Sequence, residues 1–142
     1  MTSPNPMQGV LPYLFMAGRT AEAMDFYARA FGAEDIGRMP FDDGTPRLMH
    51  GQVLINGGAL MMTDNGMNPG GADNAHIQTN FGHLQLVVDD GRRWWARATA
   101  AGCTVVAPYE RQPWGGDWGL LQDPFGLKWG IMQDGSVEPQ AI

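Results

Sequence analysis

One order of elements occurs twice along this chain, and no other feature of the sequence limits its fold as tightly. An apolar strand-length run, an amphipathic helix closed by glycine and three short strands appear first over residues 9–64 and again over 82–133. In the first pass, Val10-Leu11-Pro12-Tyr13-Leu14-Phe15-Met16 predicts a strand, with Pro12 marking an edge or a start. Thr20 is a suitable N-cap, Met24, Tyr27, Ala28 and Phe31 form an i, i+3, i+4, i+7 stripe, and Gly32 stands where a helix stops. Strands follow near 35–41, 47–55 and 59–63, separated by turns at Asp42-Asp43-Gly44 and Asn56-Gly57-Gly58. The second pass runs from His83–Val88 through a helix that Asp89-Asp90 can cap and Gly102 ends, to strands at 104–109, 118–122 and 127–133. Asp123-Pro124-Phe125-Gly126 has the residues of a type I turn at i, i+1 and i+3. Placing Gly32 on Gly102 aligns Leu14 with Leu84.

Chain length adds a bound. At 142 residues the chain has the size of one domain, 1–142, with a glycine- and asparagine-rich connection over 65–81 and a tail over 134–142. A net charge of −6 repels polyphosphate and anionic lipid, so nucleic acid and membrane surfaces are excluded as expected partners. No apolar run reaches the ~18 residues of a membrane span, and the first residues lack the character of a signal peptide, so a cytoplasmic protein is expected. The single Cys103 follows a helix exit and reads as a buried structural thiol.

The residues that carry the repeat also carry a resemblance. Phe26-Tyr27 with Phe31-Gly32-Ala33, Val88-Asp89-Asp90, Ala100-Ala101-Gly102, and Trp114-Gly115 followed by Asp123-Pro124-Phe125-Gly126 resemble the vicinal oxygen chelate superfamily of glyoxalase I, bleomycin-resistance proteins and dioxygenases. Leu48-Met49-His50-Gly51 and Leu60-Met61-Met62-Thr63-Asp64 are most similar to its PhnB-like branch. The resemblance implies an α+β fold of two βαβββ repeats, each forming a U-shaped half-barrel sheet. It also implies a homodimer, and a cavity whose metal, where there is one, is held from the first and fourth strands of each half.

At those four positions this sequence departs from the family pattern. His83 falls where the family's ligand histidine falls; Pro12 or Tyr13, Met61 or Met62, and Gly130 occupy the others. A divalent metal here needs about three imidazole or carboxylate donors, so neither a metal nor another cofactor is expected. Alternation directs His83 and Gln85 to one face and Leu84, Leu86 and Val88 to the other, while His50 and Gln52 share a strand face. His83 suits a general base, a ligand-binding donor or a satisfied structural histidine; His76, in the connection, is expected in solvent. Trp95 and Trp129 are expected in the core, and Trp114 and Trp118, flanking Gly115-Gly116-Asp117, at a cavity mouth, either as ligand-stacking walls or as structural residues. The expected ligand-contacting set is Leu14, His50, Met62, His83, Gln85, Trp114, Trp118 and Gly130, with no assigned catalytic residue. Such a lining favours a small hydrophobic or aromatic molecule. The sequence therefore points to a metal-independent binding protein that sequesters a drug or aromatic metabolite. Two rivals stay open: a glyoxalase- or dioxygenase-like metalloenzyme using ligands such as His50 with His83, and a structural module with a filled cavity.

Overall fold

The computed structural model describes residues 6–65, 77 and 79–136. Most of the 65–81 connection, His76 within it, and the tail beyond 136 therefore lie outside the described residues. The chain divides into two compact units, residues 1–78 and 79–142.

In the first unit, β1 (Tyr13–Phe15), α1 (Thr20–Phe31), β2 (Glu34–Pro40), β3 (Leu48–Ile55) and β4 (Gly58–Thr63) build a four-stranded sheet in the order β1-β4-β3-β2. Only the β1–β4 pairing is parallel. β1 is shorter than its apolar run: Val10 is fully exposed, and the ladder begins after Pro12, which lacks an N–H but accepts from Met61 N at 3.0 Å. Asn56 and Gly57 both have positive φ (52° and 81°), the backbone of the tight hairpin turn that Asn-Gly announces. α1 presents Ala23, Met24, Phe26, Tyr27, Ala30 and Phe31 to the core and ends at Gly32 in the left-handed conformation, φ 66°. Its N-terminus corrects the sequence reading. Thr20 is the first helical residue, Arg19 occupies the cap position with no side-chain cap bond, and the acceptor comes from the end of β4. Asp64 Oδ1 accepts from Thr20 N (3.1 Å) and Thr20 Oγ1 (2.7 Å), and its Oδ2 from Leu48 N (2.9 Å).

The second unit repeats the order with β5 (Leu84–Val88), α2 (Gly91–Ala101), β6 (Thr104–Arg111), β7 (Asp117–Gln122) and β8 (Lys128–Gln133), its sheet running β5-β8-β7-β6. Here Asp90 does cap its helix, accepting from Arg93 N at 3.2 Å. The 123–126 turn closes with Gly126 N donating to Asp123 O at 3.1 Å. Asp123 is buried and saturated: Oδ1 accepts from Phe125 N and Leu127 N, and Oδ2 from Trp129 Nε1 at 2.9 Å. Trp129 is buried as expected.

The ladders correct the register of the repeat. Leu14 pairs with Met62 and Met62 with Gly51; Leu86 pairs with Ile131 and Ile131 with Gly119. Leu14 thus corresponds to Leu86, two residues beyond Leu84. Four residues (16–19) join β1 to α1, but only two (89–90) join β5 to α2, so alignment on the helix-ending glycines shifts the strands by that difference.

Both units pack their helix over a glycine. A Cβ at Gly51 would stand 2.5 Å from Met24 Sδ and 3.1 Å from Thr20 Cγ2 of α1, and one at Gly119 would stand 2.6 Å from Trp95 of α2. These positions identify the helix-covered face of each sheet, because residues opposed in a ladder share a face.

Candidate functional site

That rule sorts the ligand-contacting set. In the first unit Leu14 and Met62 share the face of Gly51, against α1, and Met62 is completely buried. Both lie on the helix side of the sheet, Met62 buried and Leu14 half-buried, a correction to the lining expected of them, and the positions on the opposite face are Tyr13 and Met61, with Gln52 opposite Met61. His50 lies there too: its Nδ1 is 2.8 Å from the Tyr13 hydroxyl and its Nε2 2.6 Å from Gln52 Oε1. Both ring nitrogens are therefore engaged. Together with Ile36, Gly37, Arg38 and Met39 of β2, His50 and Gln52 line an open recess of about 240 Å³. Tyr13, one of the two residues read at the first-strand position, was not placed in the ligand-contacting set; its approach to His50 depends on the parallel pairing of β1.

In the second unit the expected residues do converge. Gln85 pairs with Gly130 and Gly130 with Leu120, on the face away from α2, and Trp118 lies two residues along from Leu120 on that face. Gln85 Oε1 accepts from Trp118 Nε1 at 3.2 Å and lies 2.8 Å from His83 Nε2. The His83 and Trp118 rings are 6.0 Å apart, and Trp114 meets Trp118 edge-on at 6.4 Å. Gly130 is the floor of this group. A Cβ there would overlap Gln85 Oε1 outright and stand 2.8 Å from Trp118 Nε1 and 3.0 Å from His83 Nε2. The glycine leaves the one space in which imidazole, amide and indole can meet.

Trp114 itself is 54% exposed, carried on the turn between β6 and β7. Bonds from Gln112 N to Gly116 O (2.8 Å) and from Gly115 N to Gln112 O (2.9 Å) hold that turn, with Gly115 at φ 101°. A large indole is thus held in solvent on an ordered support beside the His83–Gln85–Trp118 group. Leu120 and Met132, half-buried on the same face, extend the apolar surface, and Lys128 lies one alternation beyond Gly130.

These residues do not fit a divalent metal. On the uncovered face of the second unit one imidazole has an amide, an indole and a glycine for neighbours, and none of those replaces the missing carboxylate or imidazole donors. Among the described residues no three His, Cys, Asp or Glu side chains are grouped to hold an ion. Nor is Cys103 placed for nucleophilic chemistry: burial, and then the charge of Asp123, push its thiol up to about 12, so it stays protonated at neutral pH. One recurrence was readable in the sequence: a His with a Gln two residues on, His50-Gly51-Gln52 and His83-Leu84-Gln85, each giving a contact between imidazole and amide along one strand face.

Residues 9–131 match the model of the Glyoxalase/Bleomycin resistance protein/Dioxygenase superfamily. An uncharacterized protein of Mycobacterium bovis is 38% identical over 107 residues, which cover 72% of this chain and 68% of that protein. Relatives from Mycobacterium tuberculosis match at the same identity, and the aligned segment spans 61% of their length. Among solved structures, a PhnB protein from Bacillus cereus superposes with a TM-score of 0.70 at 19% identity, covering 89% of this chain and 99% of that one. TnmS3, an antibiotic binding protein from Streptomyces sp. CB03234, gives 0.61 at 24% identity, covering 87% and 92%. At these identities the structural likenesses speak for the fold. Among the described residues no helix is long and apolar enough to cross a membrane.

Proposed function

The chain belongs to the Glyoxalase/Bleomycin resistance protein/Dioxygenase superfamily, and from that premise we propose that it is a metal-independent binding protein for a small aromatic or hydrophobic molecule, working as a homodimer. The observation that carries this reading is the group around Gly130. A histidine and a tryptophan side chain both meet one glutamine oxygen on the sheet face away from α2, beside an indole held in solvent. Such a surface offers stacking area and directional polar contacts without a fixed charge pair, which suits a planar ligand. The shared fold with an antibiotic binding protein is consistent with that use. The metalloenzyme alternative with His50 and His83 as ligands lacks further donors, since among the described residues no three His, Cys, Asp or Glu side chains are grouped to hold an ion. Ile36 and Met39 on β2 of the first unit, and Val105 and Val106 on β6 of the second, are exposed apolar side chains of the kind a second copy would cover.

Titration with a panel of planar aromatic compounds tests the reading through tryptophan fluorescence. Binders should quench emission, and Trp114→Ala should weaken them several-fold, the stacking of an aromatic pair being worth about 0.5–1.5 kcal/mol. Stability should barely change, because the ring fills no core space. A panel without a binder, or binding indifferent to Trp114→Ala, refutes the assignment. Light scattering of a 15.5 kDa monomer at micromolar concentration refutes the dimer.

A further inference from the structure

We propose that Lys128 anchors an acidic group of the ligand, so that the site takes planar aromatics carrying one carboxylate about a ring's length from the stacked ring. The inference rests on the reading above and names the ligand class of that same site.

Lys128 is the only lysine of the chain. It stands on β8 two residues before Gly130, on the face away from α2, while Trp129 between them is buried. In the parallel ladder Leu84 pairs with Trp129, so one residue outward His83 comes beside Lys128 on that face. Trp118, paired with Met132, lies four residues further along the sheet, roughly 13 Å between backbones. A lysine stem covers part of that distance, and a ring with its carboxylate covers the rest.

The charge of Lys128 is unanswered. Arg19, Arg38, Arg47 and Arg111 each pair with a carboxylate. Lys128 has no ion pair or side-chain hydrogen bond among the described residues, in a chain with 15 acidic residues. Its cross-strand neighbours are uncharged: Gln122 opposite on β7, and Thr104 opposite Gln122 on β6. Because Lys128 is half-buried, its ammonium has lost part of its hydration without gaining a counter-ion, and a ligand carboxylate would supply one. Glu110, opposite Trp118, sets negative charge at the other end of the face, which directs the acid toward Lys128. One ammonium balances one carboxylate, and against a net charge of −6 a second acid on the ligand would meet repulsion.

Two planar probes of nearly equal shape, 2-naphthoate and 2-naphthamide, differ in charge. The wild-type chain should bind the acid about three- to tenfold tighter, the scale of one hydrogen-bonded ion pair in a partly screened site. Lys128→Met keeps the stem, removes the charge, and should bind both probes equally with its urea midpoint little changed; Lys128→Arg should keep the preference for the acid. A second measurement needs no variant, because amine-directed chemistry meets a single lysine. At equal occupancy, bound acid should slow acetylation of Lys128 by acetic anhydride more than bound amide does, as read by peptide mass spectrometry. Equal binding of acid and amide by the wild type overturns the proposal and leaves aromatic binding standing. A preference that survives in Lys128→Met does the same, and so does equal protection of Lys128 by the two probes, even with a Lys128→Met chain that fails to fold. Failure of both probes to quench tryptophan emission overturns this inference together with the reading on which it rests.

Discussion

Gly130→Ala separates a residue that keeps space for a site from one that keeps space for the core. The added methyl would overlap Gln85 Oε1 and press on Trp118 Nε1 at 2.8 Å and His83 Nε2 at 3.0 Å. Interiors show no such approaches, so the carboxamide must retreat by roughly 1 Å. It is the far end of an exposed, flexible side chain, so it can. The loss is two hydrogen bonds open to solvent, at most about 0.5–1.5 kcal/mol each. Replacing a strand glycine by alanine recovers about 0.5–1 kcal/mol of backbone entropy, since Gly130 has no positive φ that alanine would resist. The net change in stability should therefore lie within about 1–2 kcal/mol. Urea unfolding measures that term. Aromatic-probe binding should fall at least several-fold, because the amide loses the orientation that Trp118 imposes, and the indole N–H resonance of Trp118 should move as its acceptor leaves. A cost above about 3 kcal/mol would place Gly130 in the core-packing class and refute the argument. So would an unmoved Trp118 resonance with binding intact.

The other predictions use the same structure at positions with no role in binding. Gly119→Ala meets Trp95 ring atoms at 2.6 Å and the Tyr109 Cα at 2.7 Å, neither of which can yield, and should cost about 1–3 kcal/mol or more by urea unfolding. Asp64→Ala strands Thr20 N, Thr20 Oγ1 and Leu48 N, and should lower stability by about 2–4 kcal/mol, with the loss visible as faster amide exchange in the first turn of α1. Cys103, with its thiol raised from 9.0 to about 12, should resist iodoacetamide at pH 8 until the chain is unfolded. The unfolded chain gives up that proton first, so the thiol's contribution to stability is complete below pH 9 and falls as pH rises toward 12; Cys103→Ala should lessen that alkaline decline.

What the sequence made legible depends on whether a run alternates. His83-Leu84-Gln85-Leu86-Val87-Val88 changes character residue by residue at its start, so parity alone puts Gln85 on the uncovered face and Leu86 and Val88 in the core, as found. Val10–Met16 and Leu60–Met61–Met62 are continuous apolar runs, and such a run carries no sign of which parity faces inward. Met62 was expected on the cavity side as one of two candidates, with Met61, for the fourth-strand position, and Leu14 with it in an apolar lining; the ladder puts both on the α1 side. The βαβββ order was visible because each segment is locally marked by glycine, a cap or a turn. The Asp64 cap was not, because its partner lies 44 residues away and Thr20 offers a satisfactory local cap on paper. The two-residue difference between the strand-to-helix connections is likewise absent from any local signal.

The two His–Gln pairs show why like motifs need not be alike in chemistry. In each, an imidazole meets an amide oxygen two residues along a strand, and an aromatic polar atom completes the group. The completing atom differs. Tyr13 contributes a hydroxyl, which donates or accepts, so it can follow either tautomer of His50, and Gln52 can turn its amide to match. Trp118 contributes an N–H that only donates, so it fixes the amide of Gln85, and the amide in turn fixes the proton on His83 Nε2. The first arrangement closes on itself, with both ring nitrogens of His50 occupied. The second leaves one imidazole nitrogen and one amide nitrogen with no hydrogen-bond partner among the described residues. A histidine and a glutamine take one hydrogen-bond sense only when a donor of fixed sense stands behind them, and Gly130 is what admits Trp118 to that place.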